Sequence, residues 1–381
     1  MKNKSKVLKK ILLYFIALLI GGLIGFILLI RFDASFGGIF FYVEIALAMV
    51  LSFYVSIIVH EGGHLVFGLI SGYAFSSFRI GSIMLLRQNG KYRLCRYKLA
   101  GTGGQCLMAP PDKKNEDIPV VLYNLGGVIF NLIFAVIFAV LFMLVPYVYV
   151  LSQTLLISSI LCFIFMLSNG IPMHTGGIAN DGMNAKCLSK DKMAATAFLN
   201  QLRMNEAQTR GLSLSEMPDE WFTIPEGADK KNVAYSSIAV FNVNRNFEKK
   251  DISKSAAEIE DLLGSDWQIL GLHRNLLTCD LIFCRLINDG EGANVASLLT
   301  PELKQFMRAM KNFAGVIRTE YALDLIYRKD EGAAEKRLKL FEKRYKNSPT
   351  PKDTQIEREL MAMAKDKYIK AKIQYKSEAE I

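Results

Sequence analysis

Histidine is scarce in this sequence, and its cysteines are unpaired. Only four histidines occur among the 381 residues. The six cysteines form no C-x-x-C pair, so the sequence contains neither a dithiol redox motif nor a thiolate metal motif. All of them except Cys162 fall in segments predicted below to be cytoplasmic, where reduced thiols are the default. We therefore predict no disulfide framework and assign the cysteines no function.

Charged side chains are rare in four long apolar runs within the first 175 residues. A helix that crosses a bilayer needs about 20 mostly apolar residues. Four runs meet this requirement: Ile11–Ile30, Ile39–Ile70, Val120–Val145 and Leu151–Ile171. No A-x-A-like cleavage site follows the first run, which argues for a retained helix and against a signal peptide. The sequence predicts a multi-pass membrane protein with four transmembrane helices.

The net charge of +10 would suit a nucleic-acid-binding protein, but the positions of the cations indicate membrane topology instead. Lysines crowd the segment before the first run, and lysines and arginines crowd Tyr73–Asp117. The loop between the first and second runs carries only Arg31 and Asp33. By the positive-inside rule, both termini and Tyr73–Asp117 are predicted to be cytoplasmic in a cell membrane. We predict no nucleic-acid partner.

Two kinds of secondary structure are predicted outside the apolar runs. Phe78–Leu86 and Lys91–Leu99 resemble strands joined by Arg87-Gln88-Asn89-Gly90, and Asn-Gly is a strong hairpin signal. From about Lys190 the chain is helical in pattern, with Glu216–Lys230 as a loop. The predicted helices are Asp251–Leu263, Trp267–Ile287, Pro301–Tyr327, Gly332–Tyr345 and Lys352–Tyr368. They suggest a TPR-like array, although no clear 34-residue consensus is present.

The strongest chemical signal is His60-Glu61-Gly62-Gly63-His64, inside the second apolar run. Histidines four residues apart share one face of a helix, so both imidazoles can bind one Zn²⁺. Glu61 is placed to act as a general base toward water, as in the H-E-x-x-H arrangement. Ionisable side chains inside a bilayer cost about 2.5–3.5 kcal/mol even on the gentler scales, which favours a function for them. A structural polar cluster between helices is the alternative.

A catalytic zinc site usually takes three protein ligands and water. The third ligand must lie at the same membrane depth on another part of the chain. Asp181, just after the last apolar run, is the predicted ligand. His174 is a competing ligand, although a lone histidine near a helix end is more often an ordinary interfacial residue.

Together these residues resemble the site-2 protease family of intramembrane zinc metalloproteases, over roughly residues 40–190. The H-E-x-x-H motif is complete, and Asn169-Gly170-Ile171-Pro172 with Asp181-Gly182 resembles the family's second motif. Gly127–Asn131 is similar to the Gly-Pro-x-x-Asn pattern that lines the family's active site, with Val128 in place of proline. The hairpin with Gly103-Gly104 resembles the family's membrane-associated β-loop. The resemblance implies substrate-binding roles for Asn131, Gly103 and Gly104, and Asp181 as the third zinc ligand.

Two departures from the family pattern stand out. The interval between Pro172 and Asp181 is longer than in the family, which keeps His174 in consideration. The third and fourth runs are joined only around Pro146–Ser152, which leaves no room for a PDZ module. A substrate filter, or a site for a protein partner, is therefore expected in the cytoplasmic region if the chain has one.

The fold expected is an α-helical multi-pass membrane protein with a membrane-associated β-hairpin and a cytoplasmic all-α C-terminal domain. The expected regions are residues 1–38 (first helix), 39–189 (protease core, with the hairpin loop at 73–117) and 190–381 (helical domain). The expected function is zinc-dependent cleavage of transmembrane segments of other proteins, as in regulated intramembrane proteolysis or processing of signal peptides or pheromones. The alternative is a non-catalytic zinc-binding membrane protein, or a scaffold that acts through its cytoplasmic helices.

Overall fold

The computed structural model describes residues 38–88, 90–96, 102–145, 149–175, 178–269, 271–346, 348 and 351–379. Within these residues the chain is mostly helical and includes a small antiparallel sheet. The predicted first helix, Ile11–Ile30, lies outside the described residues.

Three described helices are long and apolar enough to cross a membrane. They are α1 (Gly38–Ile70), α2 (Val120–Leu144) and α3 (Tyr149–Gly170). Each coincides with a predicted apolar run to within two residues at either end. The agreement is close because the need to bury about 20 backbone hydrogen-bonding groups in hydrocarbon leaves a continuous helix as the local solution. The protein is therefore a membrane protein with at least these three apolar helices.

A four-stranded antiparallel sheet follows α1. Its strands are β1 (Ala74–Ile80), β2 (Ile83–Gln88), β3 (Lys91–Arg96) and β4 (Gly104–Ala109), in the order β3-β2-β1-β4. Strands β2 and β3 pair antiparallel up to Gln88 and Lys91, which confirms a hairpin at the predicted place. The prediction of one strand over Phe78–Leu86 was wrong, because the chain reverses at Gly81 and pairs Ile80 with Ile83. Gly81 has φ +57°, a value that glycine adopts without steric cost, and the interpretation as one strand overlooked the turn residues Gly81 and Ser82.

The remainder of the described chain contains one short strand pair, nine α-helices and the loops and short 3-10 turns that join them. The pair β5 (His174–Thr175) and β6 (Ile178–Ala179) is antiparallel. The helices are α4 (Asp181–Lys190), α5 (Lys192–Thr209), α6 (Val233–Glu248), α7 (Ile252–Gly264), α8 (Gly271–Asp289), α9 (Pro301–Ala309), α10 (Ala314–Ala322), α11 (Glu331–Tyr345) and α12 (Pro351–Ala379). The sequence did not predict α4, and it gave no bounds for α5 and α6, although a helical pattern was predicted from about Lys190. The predicted single helix Pro301–Tyr327 is divided between α9, α10 and a π-helical turn.

One compact unit comprises residues up to Val59 together with Phe130–Met166. A serine seam of Ser52, Ser56 and Ser158 lies between two of its helices: the Ser158 hydroxyl of α3 donates to Ser52 Oγ of α1 at 2.9 Å, and within α1 Ser56 Oγ donates to the Ser52 carbonyl at 2.8 Å. Cys162 Sγ lies 3.5 Å from Ser56 Oγ. Hydrogen bonds between helices replace the hydrophobic driving force that lipid cannot supply. This serine seam therefore fixes α1 against α3 within the unit.

The other compact unit comprises His60–Ile129 and Leu167–Ile381. One of its apolar clusters joins the sheet to α5, since Tyr73 and Met108 share it with Leu199 and Leu202. A second cluster is built from α7, α8 and the helices that follow, around Phe283 and Phe341. The boundary at residue 190 remains a prediction, although buried side chains on both sides of it belong to one cluster.

A buried cation stabilises the second cluster. Arg318 on α10 is 3% exposed, donates to Asp280 on α8, and donates to Glu357 on α12 at 3.0 Å. Its guanidinium also lies 4.7 Å from the ring centroid of Phe283. Burial raises the pKa of both carboxyl groups, and the guanidinium acts in the opposite direction. The arginine therefore holds two partly buried carboxylates together across three helices.

Replacing this cation is expected to destabilise the helical region. Arg318→Met leaves the Asp280 and Glu357 carboxylates buried without the cation that compensates their charge. The free energy of unfolding should therefore fall by about 3 kcal/mol. Both tryptophans, Trp221 and Trp267, lie after residue 190, so tryptophan fluorescence during denaturant unfolding reports on this region. Lys339→Met, which breaks an exposed 3.5 Å pair with Glu335, is the control and should change the value by under about 1 kcal/mol. Equal effects of the two variants would contradict the assignment.

Candidate metal centre

Helix α1 brings His60 and His64 to one face, one turn apart. Their Nε2 atoms lie 3.3 Å from each other, and the two rings meet edge to face. Both side chains are almost fully buried, as is Glu61 between them in sequence. Glu61 interacts electrostatically with both imidazoles and with Asp181. A pair of nitrogen donors and a neighbouring carboxylate are thus held in one buried cluster.

Helix α2 contributes a hydrogen-bond acceptor that orients one of the rings. The Tyr123 carbonyl lies 2.9 Å from His64 Nδ1 and accepts its proton. In the neutral ring this bond places the proton on Nδ1, so Nε2, on the side of the cluster, is the nitrogen that can bind a metal. Histidines that bind metals usually have their second nitrogen held in this way. The Tyr123 hydroxyl in turn donates to the Cys106 carbonyl of β4 at 2.9 Å, which ties the sheet to the same helix.

Asp181 is the first residue of α4 and completes the cluster. Its Oδ2 atom lies 3.1 Å from His60 Nε2 and 3.4 Å from His64 Nε2, and it is buried without a hydrogen-bond partner. Burial acts to raise the pKa of this carboxyl, but the two imidazoles hold it well below its usual value. The next residue, Gly182, lies against the Gly170 carbonyl so closely that a Cβ would overlap it. Asp181 is therefore a carboxylate fixed beside both rings.

The dimensions of this cluster fit a tetrahedral zinc ion. Donor atoms at 2.0–2.1 Å from a tetrahedral centre are separated by about 3.3–3.4 Å. The three separations here are 3.1, 3.3 and 3.4 Å. Two imidazole nitrogens and one carboxylate oxygen form a donor set typical of catalytic zinc, which leaves the fourth position open. The unpartnered Oδ2 of Asp181 is also accounted for, because a metal ligand has no need of a hydrogen-bond donor.

Gly127 on α2 leaves space beside the two rings. A Cβ at this position would lie 2.6 Å from His60 Cε1 and 2.7 Å from His64 Nε2. Separations below 3.0 Å are not tolerated by real Cβ atoms. The glycine therefore allows α2 to contact the donor atoms themselves, and any larger residue would occupy the site.

The other residues predicted from the sequence lie in several places. His174 is exposed on β5, and its ring is not among the three clustered donors. Asn131 is fully buried one turn beyond Gly127 on α2. The Gly103 carbonyl accepts from Gly81 N at 2.8 Å, and Gly104 begins the edge strand β4. The substrate-binding roles of Asn131, Gly103 and Gly104 remain predictions.

Sequence reasoning missed two residues that shape the surroundings of the site. Tyr123 acts through its carbonyl, an atom every residue has, so no sequence signal could have revealed it. Arg79 on β1 is 1% exposed and donates to the Gly81 and Gly104 carbonyls at 2.7 and 3.2 Å, and to the Thr102 hydroxyl. These bonds hold the first residue of β4 against the turn that follows β1. A lone arginine in a strand gives no indication that it is buried.

The comparison with known families agrees with this geometry. A family model described as Peptidase family M50 matches residues 48–332, about three quarters of the chain. The chain belongs to Peptidase family M50, the site-2 protease family. As an M50 member it is a metallopeptidase, and its apolar helices make it a membrane-bound one. The match begins within α1 and extends well beyond the motifs, to the start of α11. No curated protein and no solved structure matches the chain.

Proposed function

We propose that this M50 peptidase is a zinc-dependent endopeptidase that cleaves peptide bonds in or near transmembrane segments of other membrane proteins. His60, His64 and Asp181 are the proposed ligands, and Glu61 is the proposed general base. The observation that carries the proposal is the triangle of donor atoms 3.1–3.4 Å apart beside a buried glutamate. A metal-binding scaffold would account for the triangle but has no use for Glu61.

The bound zinc would polarise the scissile carbonyl and make water acidic enough to ionise near neutral pH. Glu61 then accepts the proton that the attacking water loses. The same side chain afterwards delivers the proton to the amine that leaves. Glu61 is buried, so its carboxylate is shielded from bulk water during this transfer.

The substrate must be extended before it is cut, because a hydrogen-bonded helix shields its carbonyl carbons. We assign the capture of the extended stretch to β4, which ends the sheet and begins at Gly104. Strand addition at an edge replaces the backbone hydrogen bonds that the substrate helix loses in the bilayer. Tyr123 links β4 to the ring of His64, so a captured strand would lie beside the donor cluster. Asn131 is proposed to help hold the same stretch.

The topology of the chain is also part of the proposal. The lysine and arginine positions favour cytoplasmic N- and C-termini, with residues 39–189 as the protease core. Residues 190–381 are proposed to select the substrate or to bind a regulatory protein partner in the cytoplasm. The lipid bilayer is proposed to surround the protease core.

Metal removal tests the central claim. The full chain, purified in detergent, is stripped of metal with a chelator and incubated with membrane proteins extracted from cells that lack it. Cleavage should be lost on stripping and restored by about one equivalent of Zn²⁺, because the proposed donors bind a single ion. Mg²⁺ serves as the control and should not restore cleavage, since it prefers six oxygen ligands. Cleavage that survives stripping would contradict the proposal.

A further inference from the structure

The segment between α3 and α4 is the part of the site that departs most from the family motif. It runs from Ile171 to Asn180 and includes the short β5–β6 pair. Ten residues thus separate the end of one helix from the residue that must meet His60 and His64. A connection of this length has many conformations, so something must fix its last residue to better than an ångström.

Asn180, the residue before Asp181, makes the contacts that close this segment. Its side-chain Oδ1 accepts from Met183 N at 3.0 Å and from Met173 N at 3.1 Å. Its Nδ2 donates to the Ser168 carbonyl at 2.7 Å and to the Ile171 carbonyl at 2.6 Å. All four hydrogen-bonding positions of the carboxamide are therefore used. One side chain joins the last turn of α3, the start of the loop and the first turn of α4.

The backbone of Asn180 adds to the same connection. Its amide donates to the Met173 carbonyl at 3.1 Å, and its carbonyl accepts from Asn184 N at 2.9 Å. The bonds to Ser168 and Ile171 satisfy carbonyl groups that the end of α3 would otherwise leave without partners. The position of the Asp181 Cα relative to α3 is thus set by its immediate neighbour.

We propose that Asn180 is a positioning residue that holds the metal ligand Asp181 against His60 and His64. The inference rests on the proposed function, since it concerns a ligand of the proposed zinc site. Asn180 does not touch the donor atoms, and it acts by clamping α4 to the end of α3. The family resemblance did not indicate it, because the motif residues are Asp181 and Gly182.

An ordinary helix cap is the competing explanation. Asn180 is the N-cap of α4, and loss of a cap costs about 1 kcal/mol in any helix. Asn232 offers the comparison within this chain, since it caps α6 through a single bond to Ala234 N at 3.1 Å. Asn180 also accepts from Met173 N, and it differs from Asn232 above all in the two carbonyl groups to which its Nδ2 donates. The proposal assigns the positioning to those two bonds.

Substitutions at Asn180 separate the two explanations. Asn180→Ser keeps an oxygen that can cap α4, and serine caps helices about as well as asparagine. It removes the bonds to Ser168 and Ile171. Asn180→Ala removes the cap as well. Asn180→Asp keeps both acceptor bonds but directs a carboxylate oxygen at two carbonyl groups. Positioning predicts that all three variants are impaired, and capping alone predicts that the serine variant is normal.

The measurement is metal affinity, with the full chain in detergent and Zn²⁺ alone as the probe. Competition with a chromophoric chelator should show Zn²⁺ affinity lowered by about 10- to 100-fold in Asn180→Ser and Asn180→Ala, the range found when residues that orient metal ligands are removed. The visible spectrum of the Co²⁺-substituted protein should lose its tetrahedral intensity in the same variants, because the displaced carboxylate no longer completes the geometry. Neither readout depends on a substrate.

Two controls define the result. Asn232→Ala removes a cap, and Ser189→Ala removes a 3.0 Å bond to the Lys186 carbonyl within α4, and both should bind Zn²⁺ as wild type does. Wild-type affinity in Asn180→Ser, with Zn²⁺ bound by the wild type, would overturn this inference and leave the proposed function standing. A well-folded wild type that binds no Zn²⁺ would overturn both.

Discussion

Glu61→Gln is expected to keep its zinc and to cleave its substrate about 10²- to 10⁴-fold more slowly than wild type. The carboxamide is nearly isosteric with the carboxylate, so the buried cluster with His60, His64 and Asp181 should keep its shape. It cannot accept a proton at neutral pH, however, and positioned general bases contribute rate factors of that size. The measurement pairs metal content with initial cleavage rates on one membrane-protein substrate.

The same variant decides between enzyme and metal-binding scaffold. A scaffold or zinc sensor would need His60, His64 and Asp181 but would function normally without the Glu61 carboxylate. His64→Ala, which removes a donor, is the companion variant and should lose both zinc and activity. Unchanged cleavage in Glu61→Gln would remove Glu61 from the mechanism. Comparing membranes that contain wild type and Glu61→Gln would also identify the small membrane proteins that accumulate uncut.

Gly127→Ala is expected to weaken Zn²⁺ binding by about 100-fold. The added methyl group would lie 2.6 Å from His60 Cε1 and 2.7 Å from His64 Nε2, so both rings would have to move. Overpacking of this kind costs about 1–3 kcal/mol, and the cost falls on the atoms that bind the metal. The same change in a helix with free space would add about 1 kcal/mol of helix propensity. Zn²⁺ affinity from chelator competition is the measurement.

Gly264→Ala is the matched control for that substitution. Gly264 ends α7, and a Cβ there would meet no atom within 4 Å. The control should bind Zn²⁺ as wild type does, while Gly127→Ala should not. Normal affinity in Gly127→Ala would show that α2 does not press on the imidazoles, and the cluster would then be less confined than the contacts indicate.

The sequence by itself determined the features that depend on local spacing. Two histidines four residues apart share a helix face whatever surrounds them, so His60 and His64 were predictable as a donor pair. The limits of α1, α2 and α3 followed from the ends of the apolar runs, and the hairpin of β2 and β3 was predicted from Asn-Gly. Asp181 was named as the third ligand, but through the resemblance and its place after α3, not through any distance.

Only the tertiary structure decided which distant groups meet. It brings Asp181 Oδ2 within 3.1 Å of His60 Nε2 on α1. It also orients the His64 ring by a hydrogen bond to the Tyr123 carbonyl, and it leaves room beside both rings at Gly127. It also divided the predicted strand Phe78–Leu86, added α4, and supplied the bounds of α5 and α6, which lie in the region predicted to be helical. Helix and turn preferences arise from neighbours along the chain, whereas a metal centre depends on packing between segments far apart in sequence. That packing depends on the shape and burial of side chains in the whole fold, which short stretches of sequence do not reveal.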